Sequence, residues 1–207
     1  MTSDFLSRCY PQLDISLIEE IERDSSIKDF LTGEYIVKQG QYIRHLPIIL
    51  EGTVKVFSEE EDIQFLLYYI SSGGSCIYSF AHISNEDPAT FSAVAEFDSQ
   101  LLLLPKVKVD KWLKQYPAFS SIVLSEYQKH YQDLLNTTKQ IICYNLEDRL
   151  LNYLQIKADL ANNRILPISH QDIAADLGTS REVITRLLKK LSLNGKVQQV
   201  GRRIKVL

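Results

Sequence analysis

Residues 168–191 constrain the fold more than any other stretch, because their apolar spacing suits two short helices joined by a tight turn. Ser169 is positioned to cap the first helix, in which Ile173 and Ala174 face the core. Alanine is small enough for a second helix to cross closely, and Gly178 permits a sharp turn between the two. The stretch is therefore predicted to form a helix-turn-helix.

The second helix, predicted over 180–193, combines an apolar stripe with a polar face. Ser180 is positioned as its cap. The stripe consists of Val183, Ile184, Leu187, Leu188 and Leu191. The polar face consists of Arg181, Glu182, Thr185, Arg186 and Lys189. Arginine can donate two hydrogen bonds to guanine and glutamate can accept one from cytosine, so this face predicts a recognition helix in the major groove of DNA.

The last residues of the chain predict a two-stranded wing. Val197–Val200 and Ile204–Leu207 have the pattern of a hairpin that turns at Gly201, which puts Arg202 and Arg203 where they can contact phosphate. Further candidate DNA contacts are the polar residues at the starts of the two helices, namely Ser169, His170, Gln171, Thr179 and Ser180.

Charge supports the same partner once it is divided by region. The chain has a net charge of −3, which taken alone disfavours a nucleic-acid ligand. Residues 168–207, however, carry eight Lys and Arg against three Asp and Glu, a net charge of +5, and the remainder of the chain carries −8. A basic end on an acidic body attracts double-stranded DNA to one part of the molecule.

The N-terminal half has the pattern of a β-roll behind a leading helix. Apolar positions from Leu13 to Ile27 predict an amphipathic helix over 13–29. Between Phe30 and Pro105, β-branched and aromatic runs alternate with glycines and a proline, which predicts short antiparallel strands. These runs are 35–37, 46–50, 53–57, 64–70, 91–95 and 101–104.

Helical patterns follow Pro105, first over 109–115 and then from Pro117 to about residue 136 or beyond. A heptad register on the long helix predicts a parallel dimer interface, formed by Val123, Tyr127, His130, Leu134, Thr137 and Ile141. The alternative is that this helix packs on its own β domain. A further helix is predicted over 146–160, with Arg149 and Lys157 on its polar side.

The chain is thus predicted to be an α+β protein with a β-roll effector domain over 1–116, a dimerisation helix over 117–142 and a winged helix-turn-helix over 143–207. No apolar run reaches the roughly 20 residues that a membrane-spanning helix needs, and the start of the chain lacks a secretory signal. We therefore expect a cytoplasmic protein without a membrane partner. The three cysteines are widely spaced, which disfavours disulfides and structural zinc.

The order of these parts resembles the Crp/Fnr family of bacterial transcription regulators. Gly33, Gly40 and Leu50–Val56 look like the glycine-marked turns and strands of the family's effector domain. The sequence from Ser180 to Arg186 looks like the recognition helix of its cyclic-AMP-binding branch. The resemblance implies a homodimer that reads two TGTGA-like half-sites, in inverted repeat about one helical turn apart, with Arg181, Glu182 and Arg186. RNA polymerase is a further candidate partner.

The effector region departs from the cyclic-nucleotide binders of that family. Their phosphate cassette supplies a Gly-Glu-Leu segment and an Arg-Ser pair, whereas this chain has Ile77–Ser79 and Ala89–Thr90 at those places. Loss of the arginine removes a charge-assisted partner of the phosphate, so cyclic AMP is disfavoured. An iron–sulfur cluster is disfavoured too, because Cys9 is the one cysteine near the start of the chain. Haem is less favoured than a structural role at His45, His82 and Cys76.

The sequence leaves open what fills the β-roll. The candidate pocket residues lie beside a glycine pair and on the long helix, and they are Cys76, Tyr78, Phe80, His82, Tyr127 and Tyr131. Such a cavity could bind a small apolar or aromatic ligand of unidentified chemistry, or Cys76 could sense oxidation if its pKa is lowered. The favoured alternative is a filled core, and no cofactor or metal is predicted.

Two other classes of protein compete with a DNA-binding regulator. A cupin-like β-roll enzyme needs about three clustered metal ligands, and the histidines at positions 45, 82, 130 and 170 show no HxH or HxxxH spacing. The chain also lacks a serine-histidine-aspartate or nucleotide-binding motif, so an enzyme is not expected. A sensing module that signals through protein contacts alone is disfavoured by the basic charge of residues 168–207.

Overall fold

A computed structural model describes residues 2–60, 63–85 and 87–207, without the side chains of residues 63, 83, 84, 137 and 140–142. The chain divides into two compact units. The first comprises Met1–Ser58 and Leu67–Asp133, and the second comprises Glu59–Leu66 and Leu134–Leu207. Within the described ranges, no helix is both long enough and apolar enough to cross a membrane.

The N-terminal part of the chain consists of a β-roll flanked by helices. Its helices are α1 (Thr2–Cys9), α2 (Ile15–Asp24), α3 (Ile77–Asn85), α4 (Lys106–Gln115) and α5 (Pro117–Cys143). Its strands are β1 (Ser26–Phe30), β2 (Tyr35–Val37), β3 (His45–Glu51), β4 (Thr53–Glu60), β5 (Ile63–Ser71), β6 (Ser92–Ala95) and β7 (Ser99–Pro105). Each of the six predicted strand runs overlaps an observed strand, and the predicted α+β class is confirmed.

The strands form two antiparallel sheets with the orders β1-β7-β3 and β2-β6-β4-β5. The prediction of a helix over 13–29 is wrong at its C-terminal end, because α2 stops at Asp24 and the chain then pairs with β7. Ile27 lies opposite Leu102 in that ladder and is half exposed, whereas Phe30 is buried. Pairing with a distant strand outweighs the local helical spacing of Ile27.

The contact of α2 with α4 closes one side of the roll. The Glu20 carboxylate accepts hydrogen bonds from the indole N–H of Trp112 (2.9 Å) and the hydroxyl of Tyr116 (3.0 Å). These bonds lower the pKa of Glu20. Trp112 itself is fully buried among apolar side chains. The hydrogen bonds of Glu20 at the edge of the apolar core therefore hold α2 against α4.

The C-terminal part of the chain is a winged helix-turn-helix with its own core. Its elements are α6 (Leu146–Leu160), β8 (Ile165–Leu166), α7 (His170–Leu177), α8 (Arg181–Leu193), β9 (Val197–Val200) and β10 (Arg203–Val206). The predicted hairpin is confirmed, and β8 adds an unpredicted third strand to it in the order β8-β10-β9. Buried leucines of α6 and α8 pack with Ile173 and Ile204 in the centre of this unit.

Candidate nucleic-acid interface

A reciprocal pair of hydrogen bonds closes the N-terminus of α7. The Ser169 hydroxyl oxygen accepts from the backbone N–H of Asp172 (3.1 Å), and the Asp172 carboxylate accepts from the Ser169 backbone N–H (3.3 Å). This capping box satisfies backbone donors that the first helical turn leaves open. The predicted Ser169 cap is confirmed. The prediction did not include Asp172 as its partner.

The turn between α7 and α8 depends on a glycine. Gly178 has φ +63° and ψ +48°, a left-handed conformation that other residues adopt only with strain. The following N–H, of Thr179, donates to the Ala174 carbonyl (2.9 Å). The Ser180 hydroxyl then accepts from the N–H of Val183 (3.4 Å) and so caps α8 as predicted. The turn therefore fixes where α8 begins.

The two faces of α8 have the character that its spacing predicts. Ile184, Leu188 and Leu191 are buried in the core of the unit, and Val183 and Leu187 are half-buried. The other face is exposed along three turns, and it carries Arg181, Glu182, Thr185, Arg186 and Lys189. A helix anchored on one side in this way can present the other side to a ligand without losing its core.

A buried polar cluster lies under α7. The hydroxyl of Tyr153 on α6 donates to the carboxylate of Asp176 on α7 (2.7 Å), and both side chains are buried. Lys157 is buried as well, with its ammonium 5.8 Å from the centre of the Tyr153 ring. The prediction that Lys157 lies on the polar side of α6 is therefore wrong. The side of α6 that packs on the helix-turn-helix is wider than the positions of its apolar residues indicate.

Two contacts at the surface also fix the helix-turn-helix on α6. The guanidinium of Arg149 donates to the carbonyl of Leu177 at the end of α7 (3.4 Å). Lys190 of α8 forms an ion pair with Glu147 at the start of α6. Arg149 thus satisfies a carbonyl that the end of a helix leaves open. These contacts hold both helices of the motif in one orientation.

The start of α8 carries a fixed negative charge. Hydrogen bonds from its own backbone N–H and from the Ser180 hydroxyl lower the pKa of Glu182, and Arg181 contributes in the same direction. Glu182 therefore remains a carboxylate, which can only accept hydrogen bonds. An acceptor between two arginines gives this face a definite pattern of donors and acceptors.

The candidate contacts on α7 meet those on α8. Nδ1 of His170 lies 2.9 Å from the Thr185 hydroxyl oxygen, and that hydroxyl donates to the Arg181 carbonyl (2.9 Å). Gln171 is exposed beside His170, and Thr179 is half-buried in the turn. The link between His170 and Thr185 was not predicted, because nothing in the local sequence indicates a contact across 15 residues.

The wing places two further cations at the surface. Arg202 and Arg203 are exposed at the turn between β9 and β10, where Gly201 has a φ of +60°. The side-chain amide of Gln199 donates to the Gly201 carbonyl (3.2 Å) and braces this turn. The structure thus presents both arginines as the hairpin pattern predicts.

The interior of the β-roll is occupied by aromatic side chains. Tyr78 stacks on Tyr68 with 6.0 Å between ring centres and tilts against Phe91 at 5.5 Å. His82 lies 5.8 Å from the Phe91 ring, and its Nε2 is 3.1 Å from the Thr90 hydroxyl. Tyr68 and Phe91, which lie on or beside strands, were not among the predicted pocket residues. This packing supports the filled-core alternative.

Cys76 and Phe80 line a small cavity beside the aromatic cluster, with Sγ of Cys76 3.7 Å from the Tyr68 hydroxyl. Both are buried and line an apolar cavity of about 30 Å³, whereas pockets for drug-sized ligands usually measure about 300–1,000 Å³. Burial raises the pKa of the Cys76 thiol. The condition for oxidation sensing, a lowered pKa, is therefore not met.

The two tyrosines of α5 do not lie in the interior. Tyr131 is 62% exposed, so its placement in the predicted pocket is wrong. Tyr127 is 41% exposed and reaches the roll only through an edge contact with Phe80 at 6.3 Å. Both tyrosines therefore lie on the outward side of α5. Their expected place in the pocket assumed that this side of the helix faces the β-roll.

The predicted dimer interface needs a shift of register on α5. Val123 and His130 are 9% and 8% exposed, because they pack on the β-roll of their own chain. Nε2 of His130 lies 3.2 Å from the Ser75 carbonyl, and its ring lies 4.3 Å from that of Tyr68. The two residues are therefore not available to a partner. The side chains of the predicted interface residues Thr137 and Ile141 lie outside the described residues.

The outward side of α5 carries a row of large apolar side chains. Its members, which we call the α5 apolar face, are Leu124, Tyr127, Tyr131, Leu134 and Leu135. The positions 124, 127, 131 and 134 follow the alternating three- and four-residue spacing of a coiled-coil seam. Tyr127 and Leu134 belong to this face and also to the predicted dimer interface, which stays a prediction.

In the part of the chain that the structure describes, no three His, Cys, Asp or Glu side chains group to hold a metal ion.

Two family models match the chain in sequence order. Residues 27–116 match a cyclic nucleotide-binding domain and residues 148–207 match a Crp-like helix-turn-helix domain. No curated protein sequence matches the chain. The first match covers the β-roll and the second begins within α6 and includes the whole helix-turn-helix and the wing.

Solved structures show the same fold at low sequence identity. A protein assigned to the Crp/Fnr family of transcriptional regulators from Eubacterium rectale is 21% identical with a TM-score of 0.87, over 96% of this chain and 92% of that one. The global regulator CLP from Xanthomonas campestris, described as responsive to c-di-GMP, is 19% identical with a TM-score of 0.80, over 93% and 99%. A CRP-family regulator from Thermus thermophilus is 21% identical with a TM-score of 0.70, over 87% and 91%.

Proposed function

The chain belongs to the Crp/Fnr family of transcription regulators, and we propose that it reads DNA with the exposed face of α8 in the major groove. One observation carries this proposal. Arg181, Glu182 and Arg186 are exposed at the start of a helix whose other side is buried and whose N-terminus is capped by Ser180. Recognition helices contact base edges with this part of the helix.

The chemistry of the three side chains gives the expected base contacts. Each arginine can donate two hydrogen bonds to O6 and N7 of guanine, and Glu182 can accept from N4 of cytosine. Because Glu182 stays ionised, it rejects a base that offers only acceptors at that position. A half-site containing two guanines and a cytosine, such as TGTGA with its complement, meets these requirements.

Phosphate contacts come from the residues around α8. Arg202 and Arg203 are exposed on the wing, and Gln171 is exposed at the start of α7. Phosphate contacts set the position and affinity of a protein on DNA and carry no base information. The net charge of +5 on residues 168–207 supports this division of roles.

The protein acts as a homodimer joined along the α5 apolar face. Leu124 and Leu134 are each more than half exposed, and isolated protomers leave this row of side chains in water. Pairing two copies in parallel buries the row as a coiled-coil seam. A two-fold dimer reads an inverted repeat with half-sites about one helical turn apart. RNA polymerase beside such a site is the expected protein partner, in the cytoplasm.

Cyclic AMP is not the signal of this protein. The stacked rings of Tyr68 and Tyr78 pack against Phe91 in the β-roll, and Ala89–Thr90 offers no cation for a cyclic phosphate. A buried phosphate without a cationic partner loses its charge-assisted hydrogen bonds.

Salt-dependent binding to a DNA duplex selected by the protein tests the assignment of α8. We expect Arg181→Ala to weaken binding to that duplex by about 10- to 100-fold per half-site, the equivalent of roughly 1–3 kcal/mol for a bidentate base contact, with little change on random DNA. Arg202→Ala should weaken both and reduce the salt slope by about one per half-site. Arg44→Ala, an exposed arginine on the N-terminal part, is the matched control. Unchanged specificity in Arg181→Ala would remove α8 from its proposed role.

A further inference from the structure

Two hydrogen bonds meet at the Thr185 hydroxyl on the exposed face of α8. Its oxygen lies 2.9 Å from the Arg181 backbone carbonyl and 2.9 Å from Nδ1 of His170. A hydroxyl has one hydrogen, and a carbonyl can only accept. With the Thr185 hydrogen donated to the Arg181 carbonyl, we assign the hydrogen between Thr185 and His170 to Nδ1 of the imidazole.

This arrangement determines what the other ring nitrogen can do. A neutral imidazole with its hydrogen on Nδ1 has only a lone pair on Nε2, so Nε2 accepts and does not donate. Phosphate oxygens also accept, so neutral His170 cannot bond a phosphate through Nε2. Protonation keeps the bond to Thr185 and adds both an Nε2–H donor and a positive charge. His170 can therefore bond phosphate through Nε2 only in its protonated form.

The position of His170 suits a phosphate. It is the first residue of α7, directly after the Ser169 cap, and it is half-exposed. The start of a helix attracts anions through its dipole. Gln171 is exposed beside it and can donate to the same group. A DNA strand that meets the N-terminus of α7 thus meets His170.

Several charged groups of α7 and α8 near His170 take part in other contacts, and Glu59 of β4 lines the same pocket as Gln171. On α7, Asp172 is bound in the Ser169 cap and Asp176 accepts from Tyr153. On α8, the pKa of Glu182 is lowered by hydrogen bonds, so it stays ionised. The cations of α8 are Arg181, Arg186, Lys189 and Lys190, of which Lys190 pairs with Glu147. Imidazole is the side chain that changes charge between pH 5 and 8.

We propose that His170 is a pH-dependent phosphate contact. Thr185 causes this dependence, because its hydroxyl oxygen keeps the hydrogen of the neutral ring on Nδ1. The proposal rests on DNA binding by the helix-turn-helix. DNA favours the protonated ring, so binding takes up to one proton per protomer. Affinity is then highest at the acidic end of the range and falls as the pH rises.

Fluorescence anisotropy with a labelled duplex selected by the wild-type protein tests the proposal, at constant ionic strength because salt also changes affinity. One proton per protomer changes the affinity of the proposed dimer by at most about a hundredfold per pH unit, because two protons are taken up. We expect the wild type to bind at least about fivefold more tightly at pH 6.0 than at pH 8.0. His170→Gln should reduce this ratio to less than about twofold. His45→Gln, at an exposed histidine of β3, should keep it. Retention of the wild-type ratio in His170→Gln would overturn the proposal.

The role of Thr185 has a separate spectroscopic readout. Valine has the shape of threonine without the hydroxyl, so Thr185→Val removes the acceptor for Nδ1–H. Long-range ¹H–¹⁵N NMR of the free protein at pH 8 should show His170 with its hydrogen on Nδ1 in the wild type, and a mixture including the Nε2–H tautomer in Thr185→Val. An Nε2–H tautomer in the wild type would refute the proposal. A wild type that selects no duplex at any pH would instead refute DNA reading itself, whatever the tautomer.

Discussion

The C-terminal unit and the β-roll place their functional side chains in opposite ways. In the C-terminal unit, Arg181, Glu182 and Arg186 are exposed on a helix that is held from behind by an apolar stripe. In the β-roll, Tyr68 and Tyr78 stack on each other where a family ligand is expected. The face of α8 proposed to read DNA is open to solvent, whereas aromatic side chains of the chain itself pack where a ligand of the family is expected.

The largest effect is expected at the element that connects the two functions, α5. Leu134→Glu puts an unpaired carboxylate into the α5 apolar face, where Leu134 is more than half exposed. If the face joins two protomers, the variant becomes monomeric, because burying that charge is costly. Loss of the second half-site should then weaken operator binding by about 100-fold or more. Sedimentation and DNA titration measure the two effects.

Gln132→Glu is the matched control for that variant. Gln132 is exposed on the same helix but lies one residue after Tyr131, outside the 124, 127, 131 and 134 spacing. It adds the same charge, so it should leave both the dimer and operator binding unchanged. A Leu134→Glu protein that sediments as the wild type does would show that the exposed row is not the interface.

A smaller effect is expected from the buried polar cluster under α7. Tyr153→Phe removes the hydroxyl that donates to buried Asp176, which should lower the free energy of unfolding by about 1–3 kcal/mol. Tyr144→Phe, at an exposed tyrosine just before α6, should cost less than about 0.5 kcal/mol. Urea denaturation measures both. Equal stabilities of the two variants would mean that the cluster does not support the helix-turn-helix.

The smallest effect is expected for cyclic AMP. A ligand at 100 times its Kd stabilises a protein by about 2.7 kcal/mol, which for 150–250 residues raises Tm by several degrees, at roughly 2–4 °C per kcal/mol. Because aromatic rings fill the roll, we expect millimolar cyclic AMP to shift Tm by less than about 1 °C. The control nucleotide 5′-AMP should give an equally small shift. A shift of several degrees for cyclic AMP alone would show that the aromatic stack opens for the nucleotide.

The same contrast explains how far the sequence could predict the structure. The helix-turn-helix depends on local signals, since the Ser169 cap, the left-handed Gly178 and the stripe of α8 all lie within 24 residues. Those elements and most site residues were therefore predictable. The Asp172 half of the capping box was also local, but a carboxylate three residues after a capping serine was overlooked.

The remaining features depend on contacts between distant parts of the chain. The pairing of Ser26–Phe30 with β7 decides that this segment is a strand. The heptad on α5 fits two registers, and only packing of His130 on Ser75 and Tyr68 shows which side faces inward. The spacing of apolar residues shows which side of a helix is apolar, but it does not identify the surface against which that side packs.

Selection of duplexes from a random library tests the central claim most directly. The wild-type protein should enrich an inverted repeat with half-sites about one helical turn apart, and Arg181→Ala should lose the preference for guanine at one position in each half-site while keeping the others. Enrichment of no sequence by the wild type, or of the same guanines by Arg181→Ala, would contradict DNA reading by the exposed face of α8.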